Sequence, residues 1–259
     1  YVLGSVGETA GIIGACATFL YNVKRGMDDI RSGSKRIVMV GNAEAPITPS
    51  VIEGYRTMGA LAEDEALMAL DDSATPDNRR ACRPFSSNAG FTLAESSAWI
   101  VLMDDALALE SGARILGSVG DVFVNADGYK KSIPGPGIGN YITVAKAMAS
   151  ARTMLGEEGL RHSTYMHAHG TGTPQNRVTE SAIMSKLAQA FDIPQLTISA
   201  IKSYVGHSLA PAGGDQLAAI LGAWQDGIVP GIKTIDHIAA DVAQERLHFP
   251  MADQARDID

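Results

Sequence analysis

The stretch "ACATFLYNVKRGMDDIRSGSKRIVMVG", residues 15–41, combines a helical pattern with a strand pattern. Apolar residues recur at intervals of three and four over 17–31, which predicts a helix with one buried face, and Gly33 then ends it. The residues of that apolar stripe are Leu20, Val23, Met27 and Ile30. The run "RIVMVG" (36–41) is continuously apolar, which is typical of a strand buried on both faces. A helix followed directly by a buried strand indicates an α/β protein.

The same alternation continues along the rest of the chain. The predicted further strands span 97–103, 114–127, 163–170 and 196–200. The predicted further helices span 104–112, 141–155, 177–191 and 215–224. This alternation predicts sheets that are covered by helices on both faces. Proline and glycine cluster at 132–140, and the strand and helix units on either side of that cluster are consistent with two halves of a duplicated fold.

Composition limits the classes of function. The chain has 259 residues, of which 46% are hydrophobic, and that is enough to bury a large core. Its net charge of -8 and its pI near 5.2 argue against a nucleic-acid-binding protein and against one that binds an anionic membrane. One cluster of cations is either a basic patch for an acidic partner or an ordinary solvated helix face, and the second interpretation is preferred. Its members are Lys24, Arg25, Arg31, Lys35 and Arg36.

The cysteines and the apolar segments indicate the compartment. Cys16 and Cys82 lie in unrelated contexts and indicate neither a disulfide framework nor paired metal ligands, which favours the reducing cytoplasm. The apolar stretches are too short to span a bilayer, and no secretory signal is visible in the sequence. The chain begins at Tyr1 rather than at a methionine, which suggests a portion of a longer protein.

Cys16 stands between two alanines at the predicted start of the first helix. The pKa of a free thiol is near 8.5, so about 3% is thiolate at neutral pH, and the partial positive charge of a helix N-terminus lowers that pKa. The N–H groups at a helix start can also stabilise an oxyanion on an attacked thioester. Taken alone, a buried cysteine is more often an inert core residue, and without other motifs that interpretation of Cys16 is preferred. Cys82, in the polar "RRACRPF", lacks this context and is expected to be structural.

Two histidines follow predicted strands, at the strand ends where α/β sheets build their sites. His169 precedes "GTGTP", whose small residues allow a ligand to pass close to the backbone. His207 follows Gly206, and Lys202 lies five positions before it. Two neutral imidazoles that converge on one point can donate hydrogen bonds to a developing enolate oxygen.

Other interpretations of these segments are weaker. His167 and His169 alternate as on one strand face, with His162 nearby, but no second cluster of carboxylates or thiols completes a metal site. The string "GPGIGN" (135–140) lacks the third glycine of a dinucleotide-binding turn, and "GTGTP" lacks the ending of a phosphate loop. Two further histidines have no motif around them and are expected to be structural, namely His237 and His248.

Taken in order, the three polar segments resemble the β-ketoacyl-acyl-carrier-protein synthases of the thiolase superfamily. That family has its nucleophile in an "ACA" segment at a helix start, its first histidine in "HGTxTP", and its lysine and second histidine in "K…GHS". The matching positions here are 15–17, 169–174 and 202–208. The strings "GNAEAPI" and "HAHGTGTPQNRVTES" are similar to those of a long, divergent bacterial subgroup that is linked to the initiation of fatty-acid synthesis.

The resemblance implies a thiolase-like α/β fold with layered α-β-α-β-α architecture, incomplete at both ends. Residues 1–130 are then expected to form the C-terminal part of the first thiolase-like half and to carry the nucleophile. Residues 131–259 are expected to form most of the second half and to carry both histidines. The resemblance also implies a homodimer in the cytoplasm.

The activity implied by the resemblance is a ping-pong condensation. Cys16 accepts an acyl or acetyl group from a thioester, and malonyl-acyl-carrier protein then loses CO₂. His169 and His207 stabilise the resulting enolate, whose carbon attacks the acyl-Cys16 thioester to give a β-ketoacyl product. Both substrates are carried on the phosphopantetheine of acyl-carrier protein or of coenzyme A, so no resident cofactor and no metal are expected. Nucleic acid and membrane are not expected partners.

Four more positions match residues that support this chemistry in the family. Thr171 and Thr173 match residues that line the phosphopantetheine arm. Lys202 and Glu180 match residues that order the histidine network, so support rather than direct chemistry is expected from them. The family usually has Gly-Asp after "TP", where this chain has "QNR" (175–177), and a loop or ion contact is expected to differ there.

The resemblance also points to missing parts. The family begins well before its nucleophile and ends with a Gly-Phe-Gly-Gly loop that supplies a second oxyanion donor, and no such loop is visible before Asp259. Losing one such donor typically costs about 10²- to 10³-fold in rate, so this chain alone is expected to be a poor enzyme. The alternative to an acyltransferase is a non-catalytic thiolase-like scaffold or a carrier-protein docking fragment. The intact set of Cys16, His169 and His207 favours the enzyme.

Overall fold

A computed structural model describes residues 7–127 and 137–255. The elements of the first range are a 3₁₀ turn (Ala15–Ala17), α1 (Thr18–Arg31), β1 (Ile37–Glu44), α2 (Pro49–Thr57), α3 (Asp64–Asp71), a 3₁₀ turn (Asn78–Arg80), β2 (Ser96–Met103) and α4 (Asp105–Glu110). The elements of the second range are α5 (Ile138–His162), β3 (Tyr165–His167), α6 (Pro174–Ala190), β4 (Leu196–Ser199), α7 (Lys202–Val205), α8 (Ala212–Asp226), β5 (Ile228–Val229), β6 (Leu247–His248) and β7 (Gln254–Ala255).

The strands form three small sheets. β1 and β2 pair antiparallel along their whole length, from Ile37 opposite Met103 to Glu44 opposite Ser96. β3, β4 and β6 form a parallel sheet with β4 in the middle, and β5 pairs antiparallel with β7. The parallel sheet matters most for the site, because the loops that leave β3 and β4 carry polar side chains to the same edge.

Two apolar cores hold these sheets to their helices. In the first, Phe19 and Val23 of α1 pack with Val40 of β1, and Leu217 of α8 packs against this group. The second core surrounds the parallel sheet, where Ile198 of β4 is fully buried together with side chains from α5 and α6. Every residue of β4 is buried.

Most of the predicted elements are confirmed, although their bounds differ by several residues. The helices expected over 17–31, 104–112, 141–155, 177–191 and 215–224 correspond to α1, α4, α5, α6 and α8. The strands expected over 36–41, 97–103, 163–170 and 196–200 correspond to β1, β2, β3 and β4. The two helices α2 and α3 were not predicted.

The prediction that β1 is buried on both faces is wrong. Ile37 and Met39 are about half exposed. On the partner strand, Val101 opposite Met39 is 54% exposed and Trp99 opposite Gly41 is 58% exposed. The cause is that α1 and α8 pack against this two-stranded sheet from one side only.

The predicted apolar stripe of α1 is confirmed at Val23 and Met27, which are buried. At its start α1 buries Phe19 and leaves Leu20 44% exposed.

The predicted strand over 114–127 is also wrong, because that segment is irregular. A strand needs a partner for its ladder of hydrogen bonds, and this segment is held instead through side chains. Asp121 receives hydrogen bonds from Arg31 of α1 and from Ser150 of α5. The predicted boundary between residues 130 and 131 lies outside the described residues, so the division into two halves stays a prediction.

The cluster of cations near α1 is a solvated, charge-paired surface. Its side chains form ion pairs with nearby carboxylates, which agrees with the preferred interpretation and leaves little free positive charge for an acidic partner. These pairs are Lys24–Asp28, Arg25–Asp29, Arg31–Asp121, Lys35–Glu8 and Arg36–Asp104. In the two ranges that the structure covers, every helix is too short or too polar to cross a membrane.

An ion pair between a buried arginine and a partly exposed aspartate fixes the loop that follows α3. Arg83, only 3% exposed, donates to both carboxylate oxygens of Asp71 at 2.6 and 2.5 Å. Asp71→Asn removes the charge partner of this guanidinium, and we expect the free energy of unfolding at pH 7 to fall by about 2 kcal/mol. Urea denaturation measures the change. Asp28→Asn, which breaks the exposed pair with Lys24, is the control and is expected to cost less than about 0.5 kcal/mol. Equal losses for the two variants would contradict this assignment.

Candidate active site

Cys16 lies in a tight turn at the start of α1. Ala15 before it has φ 49°, in the left-handed region that alanine rarely adopts. The turn is closed by Thr18, whose Oγ1 accepts the Gly14 N–H at 2.9 Å and donates to the Ala15 carbonyl at 2.7 Å. The sequence therefore builds a rigid turn that leaves the Cys16 side chain partly exposed at the helix start.

The structure brings Cys16, His169 and His207 together, as the sequence predicted for a candidate site. His207 Nε2 lies 3.1 Å from Cys16 Sγ, although 191 positions separate the two residues. The two imidazole rings are perpendicular, with centroids 5.4 Å apart. One side-chain atom from each of the three residues lies within 4.8 Å of the others. Cys16 and His169 are partly exposed while His207 is buried, so the cluster opens towards solvent on one side.

The ring of His207 is held in one orientation and one tautomer. Its backbone forms a bridge to the neighbouring segment, with His207 N–H donating to Thr92 O at 2.7 Å and Ala94 N–H donating to His207 O at 3.0 Å. The ring of Phe91 packs edge-on against the imidazole at 5.2 Å. The Leu209 N–H donates to His207 Nδ1 at 3.2 Å. Because Nδ1 accepts, the proton of the neutral ring is on Nε2 and is directed at Cys16.

Lys202 has the same effect on His169. Its ammonium group donates to the His169 carbonyl at 2.8 Å and lies 3.5 Å from His169 Nδ1. An ammonium group can only donate, so His169 Nδ1 accepts and the ring proton is again on Nε2. Glu180 holds the same loop from the other side, since its carboxylate accepts the N–H groups of His169 and Gly170 at 2.6 and 2.9 Å.

Both imidazoles are uncharged at neutral pH. Burial lowers the pKa of His207 to about 3 and lowers the pKa of His169 well below its ordinary value, and the nearby Lys202 charge lowers both further. An imidazole is neutral when it is deprotonated, so lowering its pKa widens the pH range over which the ring is uncharged. The site therefore presents two neutral Nε2–H donors across the physiological pH range.

The prediction that the Cys16 thiol has a lowered pKa is wrong. Burial raises its pKa and the negative charge of Glu44 raises it further, although Lys202 and a backbone hydrogen bond act in the opposite direction. The partial charge of the helix start is outweighed because the thiol is removed from water. Cys16 is accordingly a neutral thiol at rest, and its reactivity depends on the hydrogen-bond donors around it.

The remaining predicted positions surround the His169 loop. Thr171 and Thr173 are buried, their hydroxyl groups are 3.0 Å apart, and Thr173 caps α6 by accepting the Asn176 N–H. Asn176, in the "QNR" segment that departs from the family pattern, accepts the Thr171 N–H at 3.0 Å and donates to Glu180 at 3.2 Å. The departure therefore creates a link between the Thr171 turn and Glu180.

The cluster is a poor metal site in spite of its distances. A histidine that binds a metal through one nitrogen usually donates its other N–H to an acceptor. Here Nδ1 of His207 accepts a backbone N–H and Nδ1 of His169 faces an ammonium group, so Nε2 cannot offer a lone pair in this arrangement. Among the described residues, His162 and His167 do not join His169 in a group of possible metal ligands, so the weaker metal interpretation of these three histidines gains no support.

The other candidates have structural surroundings. Cys82 is buried, which raises its pKa to about 12, and its Sγ donates to Thr171 O at 3.5 Å. His237 bonds with Asp236, and His248 lies 2.7 Å from Gln254 Nε2. The string at 135–140 lies partly outside the described residues, so its interpretation is untested.

Sequence reasoning missed two groups that shape the site. Leu209 contributes a backbone N–H, which no residue type reveals. Glu44 lies at the end of β1 and accepts the Ala210 N–H at 2.8 Å. The only available signal for Glu44 was a carboxylate at the end of a predicted strand.

Comparisons with known proteins agree with this geometry. Residues 1–108 match the family described as beta-ketoacyl synthase, N-terminal domain, and residues 116–236 match beta-ketoacyl synthase, C-terminal domain. The chain is 58% identical over 257 residues to the beta-ketoacyl-[acyl-carrier-protein] synthase FabY of Pseudomonas aeruginosa, covering 99% of this chain and 40% of FabY. It is 31% identical over 232 residues to the actinorhodin polyketide putative beta-ketoacyl synthase 1 of Streptomyces coelicolor, covering 89% of this chain and 46% of that protein.

Solved structures give the same fold. The crystal structure of the FabY ketosynthase from P. aeruginosa superimposes with a TM-score of 0.97 at 58% identity, over 99% of this chain and 40% of that one. A type II polyketide ketosynthase bound to its acyl-carrier protein superimposes with a TM-score of 0.79 at 23% identity, over 96% of this chain and 57% of that one. The thiolase-like α/β fold is confirmed, and the chain spans 40% of the length of FabY.

Lys202 offers a test of the electrostatics of the site. Its charge lowers the pKa of Cys16, so Lys202→Met is expected to move the alkylation profile of the thiol to higher pH. We expect the rate with iodoacetamide at pH 8 to fall severalfold, because a thiol with a higher pKa has less thiolate at that pH. Peptide mass spectrometry at several pH values measures the rate at Cys16. Lys24→Met, at an exposed helix position, is the control, and an unchanged or faster rate in Lys202→Met would contradict the expectation.

Proposed function

The chain belongs to the beta-ketoacyl synthase family, and from that premise we propose that the whole protein is a β-ketoacyl-[acyl-carrier-protein] synthase of fatty-acid synthesis. It is then an acyltransferase that joins an acyl or acetyl thioester to malonyl-acyl-carrier protein with loss of CO₂. The observation that carries the proposal is the position of His207 Nε2, 3.1 Å from Cys16 Sγ, with the perpendicular ring of His169 beside it.

In the first half-reaction, Cys16 takes the acyl group from a thioester. The sulfur attacks the thioester carbonyl, the C–S bond to the carrier breaks, and the thiol proton goes to the departing sulfur. The His207 Nε2–H donates to the attacking sulfur and stabilises its developing negative charge. In this scheme the Cys16 N–H, in the turn that precedes α1, stabilises the carbonyl oxygen while that oxygen carries negative charge.

In the second half-reaction, malonyl-acyl-carrier protein loses CO₂ and leaves an enolate. The enolate oxygen accepts hydrogen bonds from the Nε2–H groups of His169 and His207, which remain neutral donors because of their low pKa values. The enolate carbon then attacks the acyl-Cys16 carbonyl. A C–C bond forms, the C–S bond to Cys16 breaks, and the thiolate that leaves takes one proton from water.

The supporting residues act through the histidines and the turn around them. Lys202 and Glu180 hold the His169 loop, and neither touches the reacting atoms in this scheme. Thr171 and Thr173 are proposed to line the phosphopantetheine arm. Their mutual hydrogen bond and the cap on α6 support a fixed wall at that position.

Acyl-carrier protein is the proposed partner, as the name of the relative from P. aeruginosa states for that protein. We further propose a homodimer that works in the cytoplasm without a resident cofactor. Every group that the acyl transfer described above uses is a side chain or a backbone N–H of this chain, which supports the last point. Analytical ultracentrifugation of the whole protein tests the dimer.

Acylation tests the nucleophile. After incubation with acetyl-coenzyme A or an acyl-carrier thioester, we expect intact-mass analysis of the whole protein to show one added acyl group that is lost in Cys16→Ala. Cys82→Ala is the control and is expected to keep the acyl group, because burial raises the Cys82 pKa to about 12. No mass gain on the wild-type protein would favour the non-catalytic scaffold instead.

Decarboxylation tests the two donors separately from acylation. We expect His169→Ala and His207→Ala each to slow the release of CO₂ from malonyl-acyl-carrier protein by about 10²- to 10³-fold, because each removes one donor to the enolate oxygen. The release of CO₂ is measured with labelled malonyl groups. His237→Ala is the control and is expected to retain the wild-type rate, because the His237 side chain lies on the surface beside Asp236. Unchanged decarboxylation in His169→Ala would remove that ring from the scheme.

A further inference from the structure

Glu44 makes a contact that the proposed reaction does not use. It ends β1, and its Oε2 accepts the Ala210 N–H at 2.8 Å across a separation of 166 positions. Ala210 lies three residues after His207, in the turn that leads to α8. The hydrogen bond therefore ties the first sheet to the turn behind the buried histidine.

That turn has a strained backbone. Leu209, between His207 and Ala210, has φ 63°, a left-handed conformation that a leucine adopts only when its surroundings hold it there. The same residue supplies the N–H that donates to His207 Nδ1 at 3.2 Å. The strained backbone and the donor to His207 Nδ1 therefore belong to the same residue.

The charge of Glu44 works against the thiol. Its negative charge raises the pKa of Cys16, which leaves less thiolate at neutral pH. A neutral acceptor at this position would avoid that effect. The structural contribution of Glu44 is consequently its hydrogen bond to the turn.

We propose that Glu44 is a positioning residue, which holds the Ala210 N–H so that the Leu209 N–H stays on His207 Nδ1 and the Nε2 proton of His207 stays directed at Cys16. The proposal rests on the proposed function for its place in the reaction. Its two immediate consequences, the tautomer of His207 and the reactivity of Cys16, are measurable without a carrier protein.

Two conservative variants separate the hydrogen bond from the charge. Glu44→Gln keeps an oxygen at the same reach that accepts the Ala210 N–H, but it removes the charge. Glu44→Asp keeps the charge and withdraws the carboxylate by one methylene, which breaks the hydrogen bond. In the whole protein, we expect Glu44→Asp to slow the alkylation of Cys16 by iodoacetamide at pH 8 by about tenfold, because the sulfur loses a directed donor. Glu44→Gln is expected to react as fast as the wild-type protein or faster.

Nitrogen-15 NMR of the histidine rings gives the second measurement. We expect His207 to carry its proton on Nε2 in the wild-type protein and in Glu44→Gln, and to become a mixture of tautomers in Glu44→Asp and Glu44→Ala. Asp104→Ala is the matched control, because it removes a carboxylate that accepts the Leu107 N–H at the other end of the same sheet. That control is expected to change neither measurement.

Equal behaviour of the Gln and Asp variants, or a wild-type tautomer in Glu44→Asp, would overturn the proposal. Circular dichroism establishes that each variant is folded, and if Glu44→Ala does not fold, the Gln and Asp pair decides. The two variants could differ in alkylation rate and in the His207 tautomer while the whole protein shows no condensation activity. That result would support the positioning role of Glu44 and contradict the proposed function.

Discussion

The arrangement of the site depends on two donors behind the histidine rings. The Leu209 N–H and the Lys202 ammonium both face Nδ1, and this places the remaining proton of each neutral ring on Nε2. Burial keeps the rings uncharged, so they act as donors and do not become bases. Because the ring proton of each histidine is on Nε2, that nitrogen has no lone pair for a metal ion, and the cluster of one thiol and two imidazoles is a poor metal site. The hydrogen bonds offered to Cys16 therefore depend on the Leu209 N–H and the Lys202 ammonium group as much as on the two imidazole rings.

The sequence alone was sufficient for most helices and for the identity of the three meeting side chains. The spacing of apolar residues predicted α1, and the alternation of helical and strand patterns along the chain predicted α5, α6 and α8. The meeting of Cys16 with His207 was predicted from a family resemblance. Periodicity could not have given it, because 191 positions separate these residues and strand order is not encoded in local pattern.

The failures have a common physical cause, which is that local sequence does not reveal what covers an element. The run at 36–41 has the apolar content of a buried strand, yet only one face of β1 is covered. The helix-start effect on Cys16 was offset by burial, which no local pattern reports. Backbone donors such as the Leu209 N–H are invisible in a sequence, because every residue except proline carries one. Glu44 was missed because its partner is such a donor.

The left-handed backbone at Ala15 limits which residues can stand immediately before Cys16. A β-branched or aromatic residue adopts φ near +50° only at a steric cost, and relaxing that strain would turn the Cys16 side chain away from His207. Glycine would fit the turn but would enlarge the ensemble of the unfolded chain and loosen the folded one. Substitution at position 15 is therefore restricted to a few small residues, even if the side chain at that position does not contact a substrate.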